Sequence, residues 1–150
     1  MNDELDMQMR QNESGASFRP GVLIVEDEAL IGLATVEWLS EEGFAVQLMA
    51  TGEEALRVLR DDDTVDALFT DINLPGDFDG WSLAQKAREM RPDLAVVYAS
   101  GRWAEIDEAR AVKDGVFIPK PYQCERVACL LLQLIAPRRM APEAGHAASD

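Results

Sequence analysis

Five short apolar segments, separated by helix-like stretches, constrain the fold of this 150-residue chain more than any other feature. The segments are 21–27, 44–50, 65–71, 94–100 and 116–121. Each is mostly a continuous run of apolar residues, as expected for a strand buried on both faces of a parallel sheet. The sequence therefore predicts five buried strands, and the third, "VDALFTD", ends abruptly in the carboxylate of Asp71.

The stretches that follow these strands have apolar residues near helical spacing. Helices are predicted over 28–43, 51–62, 80–93, 104–115 and 122–136. Strands and helices that alternate through short links pair in parallel through right-handed crossovers. The predicted fold class is α/β: a doubly wound, five-stranded parallel sheet of the flavodoxin-like (βα)5 type with strand order 2-1-3-4-5.

Composition divides the chain into one domain and two tails. Residues 1–19 and 137–150 are rich in small and polar residues, which predicts a flexible N-terminal tail and a flexible C-terminal tail. The segment between them, 20–136, holds the predicted strands and helices. It is long enough to form one ordinary domain.

Net charge limits the classes of partner. The formal net charge is -14, from 28 acidic and 14 basic residues. Such a surface repels nucleic acid phosphates and anionic membranes, so we expect no direct contact with either. No apolar run approaches the ~20 residues that span a bilayer, and the N-terminus lacks the apolar core of a signal peptide. We expect a cytoplasmic protein whose partners are cations or proteins with basic patches.

Polar and reactive side chains lie at the carboxyl ends of four of the five predicted strands. They are Glu26 and Asp27 at the end of the first strand, Asp71 at the end of the third, Ser100 at the end of the fourth and Lys120 at the end of the fifth. Because the carboxyl ends of parallel strands meet at one edge of a sheet, we expect these groups to lie together. Three carboxylates in a partly buried cleft repel one another, so at least one has a raised pKa unless a cation compensates.

A hard divalent cation would remove this repulsion. Mg2+ prefers oxygen ligands in a nearly octahedral shell and usually keeps waters and substrate oxygens. Asp27 and Asp71 are the expected direct ligands, and Glu26 is expected to act through water. The backbone carbonyl of Asn73 is a further candidate ligand.

Metal binding alone would not require a serine and a lysine at the same edge. A carboxylate can, however, be a covalent nucleophile towards phosphorus, and the charge of the incoming group must then be neutralised on every side. Mg2+, the Lys120 ammonium and the Ser100 hydroxyl would each serve one phosphoryl oxygen. The residues together predict a site that accepts a phosphoryl group on Asp71.

Four motifs resemble the receiver domain of two-component response regulators: "VLIVEDE", "FTDINLPGDFDGWSL", "YASG" and "FIPKPY", in order over 21–136. The resemblance implies a Mg2+-dependent switch, phosphorylated on Asp71 by a histidine kinase or phosphotransfer protein. It implies no conventional turnover enzyme, but a domain that catalyses its own phosphorylation and dephosphorylation. We expect a stand-alone receiver, a monomer or weak dimer, that acts on an unknown protein partner because the remaining tail is too short for an output domain.

The resemblance also assigns roles to single residues. Glu26 and Asp27 match the acidic pair that binds the metal, and Lys120 matches the family's lysine, whose bond to Pro121 is expected to be cis. Ser100 matches the hydroxyl residue that moves towards the phosphoryl group.

Three further positions match the family's regulatory residues. Phe117, three residues before the lysine, matches the switch aromatic that responds together with Ser100. Asn73 and Arg102, each two residues past a site residue, match the positions that tune how long the phosphate survives.

Two departures from the family pattern are visible. The loop "INLPGDFDG" is one residue longer than the common pattern "xxMPxMDG", and the stretch from Ser100 to Lys120 is about two residues short. The short stretch predicts that the fourth helix is truncated or irregular. "YASGRW" is also similar to the FATG-type subgroup of receivers, in which this helix is often altered.

Three other functions are compatible with parts of the pattern. A degenerate receiver could serve as a docking module without phosphorylation, although the full set of site residues argues against it. A haloacid-dehalogenase-like phosphatase has its nucleophile after the first strand and a second acid two residues on, where this chain has Asp71 after the third strand and Asn73. A flavodoxin-like cofactor binder would cradle a phosphate after the first strand, where "EDEA" would repel it.

Overall fold

Five parallel strands form one sheet, and its order confirms the prediction. The strands are β1 (Gly21–Val25), β2 (Ala45–Met49), β3 (Val65–Asp71), β4 (Ala95–Ser100) and β5 (Val116–Pro119). The order is β2-β1-β3-β4-β5, and all four pairings are parallel. The computed structural model describes residues 19–102 and 106–149, with side-chain burial as far as residue 137. The tail predicted over 1–19 therefore lies outside the described residues, except for its last residue.

Helices cover both faces of this sheet. In the described part of the chain they are α1 (Ala29–Glu41), α2 (Gly52–Asp61), α3 (Gly80–Met90) and α4 (Cys124–Ser149). Val22 and Ile24 of β1 pack into the core under α1 and α4, whereas Leu23 and Val25 pack into the core under α2 and α3. Burial on both faces is the reason for the continuous apolar runs in the sequence.

Side-chain caps determine where α2 and α3 begin. Thr51 accepts a hydrogen bond from the N–H of Glu54 (3.2 Å), and Asp79 accepts one from the N–H of Ser82 (3.0 Å). Each cap satisfies an N–H group that the first turn of a helix leaves unpaired. The caps hold the β2–α2 and β3–α3 loops at the carboxyl edge of the sheet.

The helix predicted over 104–115 is wrong for the part that the structure describes, because residues 106–115 form turns. Side chains of α3 and β4 take the place of helical hydrogen bonds. Gln85 donates to the carbonyl of Arg110 (2.7 Å), Arg88 to the carbonyl of Lys113 (2.8 Å), and the N–H of Val112 to the hydroxyl of Tyr98 (3.1 Å). The irregular segment expected from the short Ser100–Lys120 spacing is present.

The last helix is longer than predicted, since it continues to Ser149 where the sequence pattern ends it at residue 136. Ile135 is the last buried side chain among those described. Beyond it, Ala, Arg, Met and Glu, which favour helix, outnumber the prolines and the glycine. The domain boundary at 136 and the flexibility of 137–150 stay predictions.

Among the described residues, no helix is both long enough and apolar enough to cross a membrane.

Candidate functional site

The parallel sheet brings the predicted polar residues to one edge. Asp71 ends β3, Ser100 ends β4, and the register pairs Asp71 with Ala99 and Ser100 with Pro119. Lys120 therefore follows β5 beside the end of β4. Glu26 follows β1, the neighbour of β3 on its other side.

Three carboxylates at this edge, here called the acidic trio, are Glu26, Asp27 and Asp71. One oxygen from each lies within 4.8 Å of the other two. The side chain of Glu26 is 4% exposed and that of Asp71 is 11% exposed, whereas Asp27 is open to solvent. Oxygen donors in this number fit Mg2+, which completes its shell with waters and substrate oxygens. The trio therefore fits the cation that the sequence predicts.

Lys120 joins two members of the trio. Its ammonium donates to Asp71 Oδ2 (2.9 Å) and lies 3.0 Å from Glu26 Oε1. Burial lowers the pKa of Lys120, but its bonds to the two carboxylates outweigh burial and hold the pKa above its ordinary value. The ammonium is therefore charged at neutral pH. The bond from Lys120 to Pro121 is cis, as predicted.

Glu26 has the least favourable environment for a charge. Burial raises the pKa of its carboxyl, and the nearby charge of Asp71 acts in the same direction. Lys120 and the N–H of Glu28, which donates to Glu26 Oε2 (3.2 Å), oppose this rise. Glu28 also lies 3.9 Å from the Lys120 ammonium and was missed in the sequence, although the third acid of "EDE" is a signal for it.

Ser100, Arg102 and Asn73 complete the rim of the site. The Ser100 hydroxyl donates to the carbonyl of Arg102 (2.8 Å) and accepts from the N–H of Arg102 (3.1 Å). The N–H of Asn73 donates to Asp71 Oδ1 (3.3 Å). Asn73 and Arg102 line an open cleft of about 500 Å³, and Ser100 directly precedes the lining residues Gly101 and Arg102. Its lining residues are Asp27, Glu28, Asp71, Asn73, Gly101, Arg102 and Lys120.

Phe117 lies outside this cleft, in an aromatic cluster on the face covered by α2 and α3. Its ring stacks on Tyr98 with 5.1 Å between centroids, and it meets Trp81 edge-on at 5.7 Å. Sequence reasoning missed Tyr98 as the partner of Phe117. The two residues face each other in the β4–β5 register, so the strand order together with the strand ends would indicate the contact.

An apolar groove adjoins the cleft and shares Glu28 and Lys120 with it. Its other lining residues are Leu30, Ile31, Ala34, Thr35, Pro121, Tyr122 and Cys124. Leu30 is 85% exposed and adds apolar surface to the groove. A protein that reaches Asp71 would find apolar surface directly beside it.

Comparison with known proteins identifies the family. Residues 22–131 match the model of the response regulator receiver domain. The chain is 30% identical over 118 residues to the sensor kinase CckA of Brucella abortus (strain 2308), which covers 76% of this chain and 12% of that protein. It is also 32% identical over 119 residues to the transcriptional regulatory protein CreB of Escherichia coli (strain K12). That match covers 75% of this chain and 51% of CreB.

A solved structure agrees with the sequence match. A response regulator receiver protein from Sinorhizobium medicae WSM419 has a TM-score of 0.75 and 30% identity, covering 80% of this chain and 97% of that one. The chain belongs to the family of response regulator receiver domains of two-component systems. It spans about half of CreB and about an eighth of CckA, so the activities of those whole proteins do not transfer to it. Membership of the FATG-type subgroup stays a prediction.

Proposed function

We propose that this domain accepts a phosphoryl group on Asp71 in a Mg2+-dependent reaction and thereby switches a protein-interaction surface. The arrangement around Asp71 carries the proposal. Its Oδ2 lies 2.9 Å from the Lys120 ammonium, and its carboxylate belongs to the acidic trio. A carboxylate held between a fixed ammonium and metal ligands is oriented as a nucleophile and surrounded by charges that suit a phosphoryl group.

In this reaction an oxygen of Asp71 bonds to phosphorus while the donor atom leaves with the electrons of the bond that breaks. Mg2+, held by the acidic trio and the carbonyl of Asn73, would neutralise charge on the phosphoryl oxygens. The Lys120 ammonium neutralises a second position, and the Ser100 hydroxyl donates to a third once it releases the carbonyl of Arg102. The side chains of Asn73 and Arg102, at the rim, would govern access of the water that later hydrolyses the acyl phosphate.

Incubation with acetyl phosphate tests the proposal. With Mg2+, the intact mass should increase by one phosphoryl group, and excess EDTA should prevent the increase because the acidic trio would lack its cation. Absence of an adduct with both acetyl phosphate and a phosphohistidine donor would favour the docking module. Steady release of phosphate from many esters would favour the phosphatase, which family membership argues against.

We propose that the physiological donor is a histidine kinase or phosphotransfer protein that docks in the apolar groove beside the cleft. The groove offers exposed Leu30 to an amphipathic helix, a common mode of protein recognition. Leu30→Ser should slow transfer from a phosphorylated histidine kinase about tenfold. This corresponds to a loss of about 1.4 kcal/mol in the free energy of binding between the two proteins. Labelling by acetyl phosphate should not change.

Leu33→Ser is the matched control for this prediction. Leu33 is 58% exposed on the same helix but does not line the groove. Equal slowing by both substitutions would indicate a general effect on α1, and no slowing by Leu30→Ser would exclude the groove as the docking site.

We propose that Ser100 and Phe117 transmit the phosphorylated state. Ser100 is bonded to Arg102, so movement towards a phosphoryl group exchanges these bonds and shifts the end of β4. Phe117 stacks on Tyr98, two residues earlier on that strand. Amide NMR spectra with and without beryllofluoride and Mg2+ should therefore change at Ser100 and Phe117 together. An unchanged Phe117 amide would remove it from the switch.

We further propose that the output is contact with another protein and not with nucleic acid, in the cytoplasm, by a monomer or weak dimer. The net charge of -14 supports this because it opposes binding to phosphate backbones. Light scattering over a concentration series checks the oligomeric state, and a stable dimer at micromolar concentration would contradict it.

A further inference from the structure

The β3–α3 loop is closed at its base next to the proposed acceptor. The N–H of Gly80 donates to the carbonyl of Ile72 (2.7 Å). A Cβ at Gly80 would overlap the carbonyl oxygen of Asp71, so a larger residue would force this closure apart. The loop therefore begins after Asp71, and its last part returns at Gly80 to bond Ile72, the residue that follows Asp71.

The tip of the same loop is fastened to the start of α2. The N–H of Asp77 donates to Glu53 Oε2 (3.0 Å). At Gly76, where φ is +100°, a Cβ would lie 2.8 Å from Glu53 Oε1. The ring of Phe78 covers Gly52, where a Cβ would lie 2.6 Å from the ring. We call these contacts of Gly52 and Glu53 with residues 76–78 the loop clamp.

The loop clamp coincides with the extra residue of the loop. Three residues, 76–78, separate Pro75 from Asp79, where the common family pattern has two. Two of the three, Gly76 and Asp77, are those that meet Glu53. The segment that contains the extra residue is therefore the same segment that forms the loop clamp.

Asn73 lies between the closed base and the clamped tip. Its N–H donates to Asp71 Oδ1 (3.3 Å), and it lines the cleft. With both ends of the loop held, the backbone of Asn73 has less freedom than in a loop fixed only at its base. A group that restrains a metal-ligating segment from outside commonly controls metal affinity.

We propose that Glu53 is a positioning residue: by holding the loop tip it orients Asn73, and so strengthens Mg2+ binding by the acidic trio and prolongs the life of phosphorylated Asp71. The lifetime part rests on the proposed function, whereas the metal-binding part needs only that the acidic trio and Asn73 bind Mg2+. The bond from the Asp77 N–H also lowers the pKa of Glu53, so its carboxylate is charged at neutral pH.

Two substitutions separate the hydrogen bond from the charge. Glu53→Ala removes both, whereas Glu53→Gln removes the charge but keeps an oxygen that accepts from Asp77. By calorimetric titration, Glu53→Ala should bind Mg2+ about tenfold more weakly than wild type. Its Asp77 amide should also exchange hydrogen faster. Glu53→Gln should stay near wild type in both measurements, and Glu89→Ala, an exposed glutamate of α3, serves as the surface control.

The outcomes are distinct from those for the proposed function. Wild-type Mg2+ affinity in Glu53→Ala would overturn the inference, as would equal weakening by Glu53→Ala and Glu53→Gln, which would assign the effect to charge. Faster loss of the phosphoryl group from Glu53→Ala than from Glu53→Gln and wild type would support the lifetime part, and equal loss from all three would overturn it. If acetyl phosphate labels no variant, wild type included, the proposed function fails while the Mg2+ titration still decides the role of Glu53.

Discussion

Asp71→Asn should gain no phosphoryl group from acetyl phosphate and Mg2+ under conditions in which the wild type gains one. The amide of asparagine has nearly the size and shape of the carboxylate, so the end of β3 should keep its structure. It lacks the anionic oxygen that attacks phosphorus. The expected loss of adduct is therefore complete, and intact-mass spectrometry measures it directly.

Asp93→Asn is the control for this result. Asp93 is an exposed aspartate at the opposite edge of the sheet, in the loop before β4. That variant should be labelled like the wild type. If Asp71→Asn forms as much adduct as the wild type, another residue accepts the phosphoryl group.

Lys120→Met should lower both the rate of phosphorylation and the free energy of unfolding in the absence of metal. The ammonium lies 2.9 Å from Asp71 and 3.0 Å from Glu26, and its removal leaves two largely buried carboxylates without a cation. Loss of one partner from such a pair costs about 3 kcal/mol in the free energy of unfolding. Loss of a charge that stabilises the transferred group should slow labelling about 100-fold. Urea denaturation in EDTA and timed mass spectra measure the two effects.

The pH dependence of this variant has a definite sign. Without Lys120, the pKa of Glu26 should rise further, because Lys120 is the main influence that lowers it. A carboxyl whose pKa is higher in the folded state favours folding at low pH and loses that contribution as the pH rises. Relative to wild type, Lys120→Met should therefore lose stability as the pH rises above 4.5, the ordinary pKa of glutamate.

Mg2+ should restore much of the lost stability, because it brings positive charge to the same carboxylates. At a concentration 100 times its Kd, a ligand adds about 2.7 kcal/mol to the free energy of unfolding. Lys113→Met, at an exposed lysine whose side chain makes no ion pair among the described residues, should match the wild type. Equal stability of Lys120→Met and wild type in EDTA would show that Glu26 and Asp71 need no compensating cation.

The strand-end residues could be placed from sequence because parallel pairing leaves few choices. Once 21–27 and 65–71 are assigned as buried strands, the carboxyl ends that carry Glu26 and Asp71 must meet at one edge. The sheet order and four of the five predicted helices followed from the same alternation.

Contacts between distant segments could not be read in this way. Residues 104–115 have helix-like spacing, but Gln85, Arg88 and Tyr98 bind the backbone of the described part, and their positions depend on tertiary packing. Glu53 looks like an ordinary acid in the first turn of a helix, which is favourable on its own. Its bond to the β3–α3 loop exists only because β1 and β3 are neighbours, which brings α2 beside that loop.

The backbone conformation of the segment 106–115 depends on residues elsewhere in the chain. The three hydrogen bonds with Gln85, Arg88 and Tyr98 all involve main-chain atoms of that segment. Within the segment, Asp107 also holds the main chain, because its Oδ1 accepts from the N–H of Ala109 (3.0 Å). Exposed positions such as Glu108 and Lys113 are free to change in size or charge while the path of the backbone stays the same. Related proteins that keep Gln85, Arg88 and Tyr98 could therefore differ in the exposed side chains of this segment. They would then bind different partner proteins through a segment whose backbone conformation is the same.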